Sequence, residues 1–207
     1  MQVCDGETRE DTAAMTTREG TSMAPVRYVL QRSAFGALGI VWQGTVEGPR
    51  LLRVFLPVPQ TPVEALAQAA FVGAQPRSNP SIAELGERMQ AFLEGETVDF
   101  ELGMVALERC SSFQQRVILA EHKIPRGWVS TYGRIASSLG IPGGARAVGR
   151  ALAENPFPII IPCHRAIRAG GQLGGYQGGR KLKRALLELE GIEFSLTEKA
   201  LMRRVYY

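Results

Sequence analysis

The chain has 207 residues, 45% apolar and 21% charged, enough for one large domain or two small ones with a buried core. No apolar run reaches the roughly 18 residues of a membrane helix, and the acidic, polar start (Asp5, Glu7, Glu10, Asp11) does not read as a secretory signal, so no membrane association is expected and the location predicted is cytoplasmic, or nuclear in a eukaryote. The net charge of +4 is unevenly placed: residues 1–109 carry 9 basic and 14 acidic side chains, residues 110–207 carry 15 and 6, so any polyanion is expected on the second half, the alternative being a solvated basic face.

Residues 1–24 are polar and aperiodic and read as a disordered tail. The apolar runs Val26–Gln31, Gly39–Val46 and Leu51–Leu56 predict a small antiparallel sheet, with Glu47-Gly48-Pro49-Arg50 as the turn between the last two. Residues 57–80 hold five prolines and one short helix, Val63–Val72. Asn79 and Pro80 fit the cap and first position of a helix with the stripe Ile82, Leu85, Met89 and Phe92, ended by Gly95. Residues 98–107 read as a strand or an extended linker. The charge changes sign near residue 108, which sets the expected boundary between an N-terminal α/β domain (25–108) and a C-terminal domain (109–207).

The second half reads as mostly helical. Ser111 or Ser112 caps a helix, with Gln114 or Gln115 as capping-box partner and Phe113, Val117, Ala120 and Ile124 on one face. Ser130 caps a short helix containing Tyr132, Ile135, Ala136 and Leu139. Gly140-Ile141-Pro142-Gly143-Gly144 is a tight turn, and a helix runs from Ala145 to Ala153. The last two helices form a helix-turn-helix candidate or a plain helix pair. Ala145, Val148 and Leu152 face inward, which leaves Arg146 and Arg150 together outside among small residues such as Gly149, where a nucleic-acid backbone can come close.

Ile159-Ile160-Ile161 is predicted as a short buried strand delivering Pro162-Cys163-His164-Arg165 to its end. A thiol placed there beside an imidazole is either a reactive thiolate or an inert buried cysteine. Six of the ten residues 170–179 are glycine, without the Gly-Lys-Ser/Thr of a P-loop; the loop suits close wrapping around a flat ligand. A last helix, Arg180 to Glu190, opens with Arg180, Lys181, Lys183 and Arg184. Cations there oppose the helix dipole, and phosphate binding would account for them. The cysteines, Cys4, Cys110 and Cys163, imply no disulfide framework, and with two histidines and no Cys-x-x-Cys pair no zinc site can be assembled, so neither metal nor cofactor is expected.

The run Ile161-Pro162-Cys163-His164-Arg165 resembles the active-site signature of the O6-alkylguanine-DNA alkyltransferases (methylated-DNA–protein-cysteine methyltransferases). The resemblance extends, in order, to Thr131-Tyr132-Gly133-Arg134-Ile135-Ala136, Ala145-Arg146-Ala147-Val148-Gly149, Asn155-Pro156, Gly174-Gly175-Tyr176-Gln177-Gly178-Gly179 and Leu186-Leu187-Glu188-Leu189-Glu190-Gly191, roughly residues 111–192. It implies an α+β fold: a small N-terminal sheet-and-helix domain, then a mostly helical, winged-helix-like domain with a helix-turn-helix and a short active-site strand. It implies single-turnover transfer of an alkyl group from O6-alkylguanine in double-stranded DNA to Cys163 by a monomer, with O4-alkylthymine left open as a substrate. His164 would act as base through a water and Glu190 would orient it. Tyr132 would help evert the nucleotide and protonate the departing guanine. Arg146 would fill the gap in the base stack, with Arg150, Ala145 and Gly149 against the DNA, and Asn155 would tie the helix-turn-helix to the active-site strand. Leu152, Tyr176, Gln177, Gly178 and Ala166 would wall or read the guanine pocket. Two departures stand out: Gln177 occupies a place where many members have serine, and Ile118 stands where a larger aromatic is expected. The rival readings are a non-catalytic alkyltransferase-like lesion-binding protein, a Cys–His hydrolase and a helix-turn-helix regulator.

Overall fold

A computed structural model describes residues 24–207; the expected tail, with Cys4, lies outside the described residues. The first half is a sheet between two helices. Strands β1 (Val26–Gln31), β2 (Leu38–Thr45) and β3 (Gly48–Phe55) form an antiparallel meander, and β4 (Gln75–Pro76) adds a short parallel edge beside β1, so the sheet is mixed rather than wholly antiparallel. The hairpin is tighter than the expected four-residue turn: Thr45 faces Gly48 directly, and Pro49 and Arg50 belong to β3. A proline is tolerated there because β3 is the sheet's edge. Opposite Val41 and Trp42 the strand carries one extra residue, Leu52. This bulge reverses the phase of the pleat, so Leu51 and Val54 both reach the main core while Leu52 and Phe55 reach the other face.

Helix α1 (Val63–Ala70) covers that second face with Val63 and Ala67, ending two residues before the expected Val72. Helix α2 (Pro80–Leu93) covers the first, and Asn79 caps it by accepting from the Ser81 amide, as its sequence predicts. Residues 98–107 are not a strand: Val105 makes one isolated bridge to Leu51, and a 3-10 turn (Leu107–Arg109) follows.

The second half contains α3 (Ser112–His122), β5 (Ser130–Thr131), α4 (Tyr132–Ser138), α5 (Ala145–Ala153), a 3-10 turn (Cys163–Arg165), β6 (Ala166–Ile167) and α6 (Gly179–Leu189). Ser111 caps α3 through the Gln114 amide, but Gln114 does not close a capping box; its side chain donates to Ala151 O and Glu154 O and pins the end of α5. The cap of α4 is Thr131, not Ser130, which sits in β5 and donates to Tyr206 O. The expected strand at Ile159–Ile161 is replaced by a turn: Ile161 N donates to Phe157 O, and Ile159 has φ of 74°, a left-handed conformation costing a β-branched residue about 1–3 kcal/mol. The short strand comes after the cysteine, where β6 pairs in parallel with β5. One continuous apolar core joins the halves, from Leu38 and Trp42 through Met89, Phe92, Val117 and Val148 to Leu186. The amide of Val54, in the sheet, also donates to Pro156 O beside the active-site turn. Among the described residues no helix is long and apolar enough to cross a membrane.

Candidate active site

Cys163 opens the 3-10 turn that leads into β6 and is 4% exposed, at a cavity of about 330 Å³. Tyr132, Ala145, Arg146, Gly149, Leu152, Arg168 and Tyr176 share its wall, within the size range of small-molecule sites, about 300–1,000 Å³. A larger groove, about 680 Å³ between Pro57–Val63 and α6, is mainly apolar, with Lys181 its one titratable group and no cysteine or histidine on its wall.

Asn155, fully buried just past α5, organises the sulfur. Its Nδ2 donates to Cys163 Sγ (3.3 Å) and Ile161 O (3.3 Å), its Oδ1 accepts from Phe157 N (3.0 Å), and its carbonyl accepts from Gln177 Nε2 (2.5 Å). Through its side chain and its carbonyl, this one residue at the end of α5 thus ties the active-site turn to the glycine loop. Burial pushes the Cys163 thiol up to about 11 against that Asn155 bond; the Glu121 carboxylate adds to the rise and Lys183 opposes it. Buried in this way, the sulfur rests as a thiol whose proton has to leave before it can attack.

His164 is fully buried, edge-on to Phe92 and Tyr176. Its Nε2 meets Glu190 Oε1 at 2.9 Å. Glu190 caps the end of α6 and also receives Arg165 through Nε (2.9 and 3.1 Å) and an Nη (2.7 Å). Against the upward push of burial, His164 and Arg165 hold the Glu190 carboxyl down at about 2. Burial lowers the His164 imidazole despite that carboxylate. Because the bidentate guanidinium already neutralises Glu190, we assign a neutral imidazole with its proton on Nε2. Its Nδ1 is buried and meets no hydrogen-bond partner among the described residues, which leaves it an acceptor.

Tyr132 begins α4, and burial, with Glu121 and Cys163, pushes its hydroxyl up to about 12. Gly174 lies so close to that hydroxyl that a side chain there would overlap it. Lys183, read from sequence as part of an exposed cationic cluster, is fully buried: Nζ donates to Ala166 O (2.6 Å) and Tyr132 Oη (3.4 Å). Arg184 pairs with Glu188 and Glu198, and Arg180 and Lys181 are the exposed members of that cluster with no ion pair among the described residues.

The cavity collects Cys163, Tyr132, Arg146, Ala145, Gly149, Leu152 and Tyr176 of the expected residues. Gln177, Gly178 and Ala166 lie off its wall. Gln177 turns its side chain to Asn155 O and Ala153 O, Gly178 faces the larger groove, and the Ala166 carbonyl is taken by Lys183. Arg146 is exposed at the mouth, whereas Arg150 is outside the cavity in an exposed pair with Glu154 (3.1 Å). Sequence reasoning missed Glu121, Lys183, Arg165 and Arg168. The first two stand in phase with buried stripes (Val117, Ile118, Glu121, Ile124; Lys183, Leu186, Leu187, Glu190), which is the signal that marks them as buried.

A family model described as 6-O-methylguanine DNA methyltransferase, DNA binding domain, matches residues 112–192. A methylated-DNA–protein-cysteine methyltransferase of Methanothermobacter thermautotrophicus is 46% identical over 112 residues, covering 54% of this chain and 62% of that protein. One from Mycobacterium leprae is 45% identical over 129 residues, covering 62% of this chain and 76% of that protein. The chain belongs to the methylated-DNA–protein-cysteine methyltransferase family. The likeness reaches beyond the matched segment: the crystal structure of Mycobacterium tuberculosis O6-methylguanine methyltransferase superposes with a TM-score of 0.65 at 37% identity over 80% of this chain and 92% of the other. The same mycobacterial protein in complex with DNA gives 0.63 at 36% over 79% and 92%. The α+β architecture of this methyltransferase family is thus present along both halves of the chain.

Proposed function

We propose that this chain repairs double-stranded DNA by moving the alkyl group of an O6-alkylguanine onto Cys163, once per molecule. The observation that carries the reading is the Cys163 thiol at the floor of a base-sized cavity, bonded to Asn155 and followed by the His164–Glu190 pair, in a chain of this family. Residues 25–108 serve as the frame and 109–207 as the DNA-binding and catalytic part, in a monomer acting in the cytoplasm, or in the nucleus of a eukaryote.

The lesion is inside a base stack, so the nucleotide must be everted at a cost of a few kcal/mol. Arg146, at the cavity mouth on a helix of small residues, fills the gap, and Arg150 and Gly149 lie along the backbone. His164 takes the thiol proton through a water. Sγ then attacks the alkyl carbon: the S–C bond forms as the C–O6 bond breaks, and the electron pair leaves on guanine. Tyr132 gives guanine a proton and recovers one from the imidazolium, so no net proton is gained or lost. The product is a thioether, which nothing in the site hydrolyses, hence one turnover.

Intact mass after mixing with a duplex containing O6-methylguanine tests this. The expected result is a gain of one methyl group on Cys163, abolished by Cys163→Ala. Tight binding to the lesion with no mass gain would replace the reading by non-catalytic lesion recognition.

A further inference from the structure

The reaction above makes no use of Gln177. This residue stands half-buried in the glycine loop, off the cavity wall. Between Leu173 and Gly178 the loop holds no strand or helix, and its one main-chain hydrogen bond is local: Tyr176 O accepts from Gly179 N. Among the described residues, the hydrogen bonds that join this segment to another element all come from one side chain. Gln177 Nε2 donates to Asn155 O (2.5 Å) and to Ala153 O (3.2 Å). Both carbonyls lie at or just past the end of α5, where a helix leaves acceptors without partners of its own. A glutamine amide has two N–H donors, and here each has a carbonyl to meet.

The two segments joined in this way are both cavity wall. Gly174, Gly175 and Tyr176 of the loop line it, and so do Leu152 and Ala153 of α5, with Cys163 on the same cavity. Packing holds the loop at its ends: a side chain at Gly174 would overlap the Tyr132 hydroxyl, and one at Gly178 would overlap Leu182. Gly175, between them, faces open space. The middle of the loop, which carries Tyr176, is therefore kept against α5 by the Gln177 amide.

We propose that Gln177 is a specificity-determining residue for alkyl transfer: its amide staples the loop wall to the end of α5, fixes the width of the cavity, and so favours small alkyl groups on O6 over bulky ones. The inference rests on the alkyl-transfer reading. The cavity, about 330 Å³, is at the small end of the range for small-molecule sites, about 300–1,000 Å³. A methylated guanine uses the stapled form. An O6-benzyl group adds a whole aromatic ring, so the wall has to move back, which breaks both bonds. Two neutral hydrogen bonds hold that equilibrium by about tenfold, toward the low end of their net worth, because half-buried groups regain water when they part.

The test is the single-turnover rate of transfer, followed by intact mass, from duplexes carrying O6-methylguanine or O6-benzylguanine. Gln177→Glu keeps the size of the side chain but replaces its donors with an acceptor-only carboxylate; Gln177→Ala removes it. The benzyl-to-methyl rate ratio should rise about tenfold in each. A purely steric role for the side chain would leave the ratio of Gln177→Glu where it was. Hydrogen exchange of residues 172–179, with no DNA present, gives a second readout and should speed up in both variants, while thermal melting checks that they fold. An unmoved ratio in Gln177→Glu, equal slowing on both duplexes, or loop exchange no faster than before would overturn the inference and leave the transfer reading intact. Absence of transfer from both duplexes by the unmodified protein would sink the transfer reading, and the specificity role with it.

Discussion

Replacing Asn155 by alanine removes three side-chain hydrogen bonds at once, to Phe157 N, Ile161 O and Cys163 Sγ. The consequences differ in size. Ile161 O keeps a second donor, the Cys163 amide at 2.8 Å, so its loss is minor. Phe157 N is left as a buried orphan, which costs about 1–3 kcal/mol of stability. At the sulfur, the lost bond is one that favours the anion; a hydrogen bond to a charged group is worth about 1.5–3 kcal/mol, or roughly 1–2 pKa units. The thiol, already high through burial, rises further, and the ionised fraction at a given pH falls about 10–100-fold. Asn155→Ala should therefore slow single-turnover methyl transfer by about that factor while the protein still melts cooperatively at a lower temperature. Asn155→Asp keeps an acceptor for Phe157 N but sets a negative charge against Sγ, so it should melt higher than the alanine variant yet transfer more slowly. Transfer by Asn155→Ala within twofold of the unmodified protein would show that Asn155 is structural only and that the sulfur is activated without it.

Three further outcomes follow from the same geometry. Gly174→Ala forces its Cβ into the Tyr132 hydroxyl; overpacking of this kind costs about 1–3 kcal/mol, and transfer should fall more than lesion binding, measured by competition with unlabelled duplex. Arg146→Ala should weaken repair of duplex more than dealkylation of the free base, because only the duplex needs a gap filled; equal loss on both would contradict the finger role. Glu190, ionised with its folded-state carboxyl near 2 against an ordinary value of 4.5, contributes stability that is complete above about 4.5 and is lost as pH falls from there through about 2. That contribution is about 3 kcal/mol, and urea melts of Glu190→Gln should show a flatter acid limb than those of the unmodified protein.

Local structure was written in the chain wherever backbone chemistry decided it. Asn79-Pro80 starts α2, Ser111 starts α3, and the apolar runs of the first half became strands within a residue of their expected ends, except that β3 begins three residues earlier than expected. The nucleophile and its neighbours were also legible, because Pro162-Cys163-His164-Arg165 is contiguous and its companion motifs follow in order. Errors arose where tertiary contact overrode local pattern. Ile159–Ile161 has strand composition, but the Asn155 amide and the Phe157–Ile161 bond fold it into a turn, and a left-handed isoleucine is not something propensity predicts. Arg165, third in the visible motif, turned out to be the group that neutralises Glu190, 25 residues away.

By itself the sequence determined most helix starts, the three long strands of the first half and the family, since all of these depend on residue type and short spacing. The ionisation states of the site were decided only by the tertiary structure. Lys183 and Glu121 stand in phase with buried stripes, but only folding decides how fully each loses its water and which charges act on it. Desolvation and long-range charge act through space, and no one-dimensional pattern records those distances.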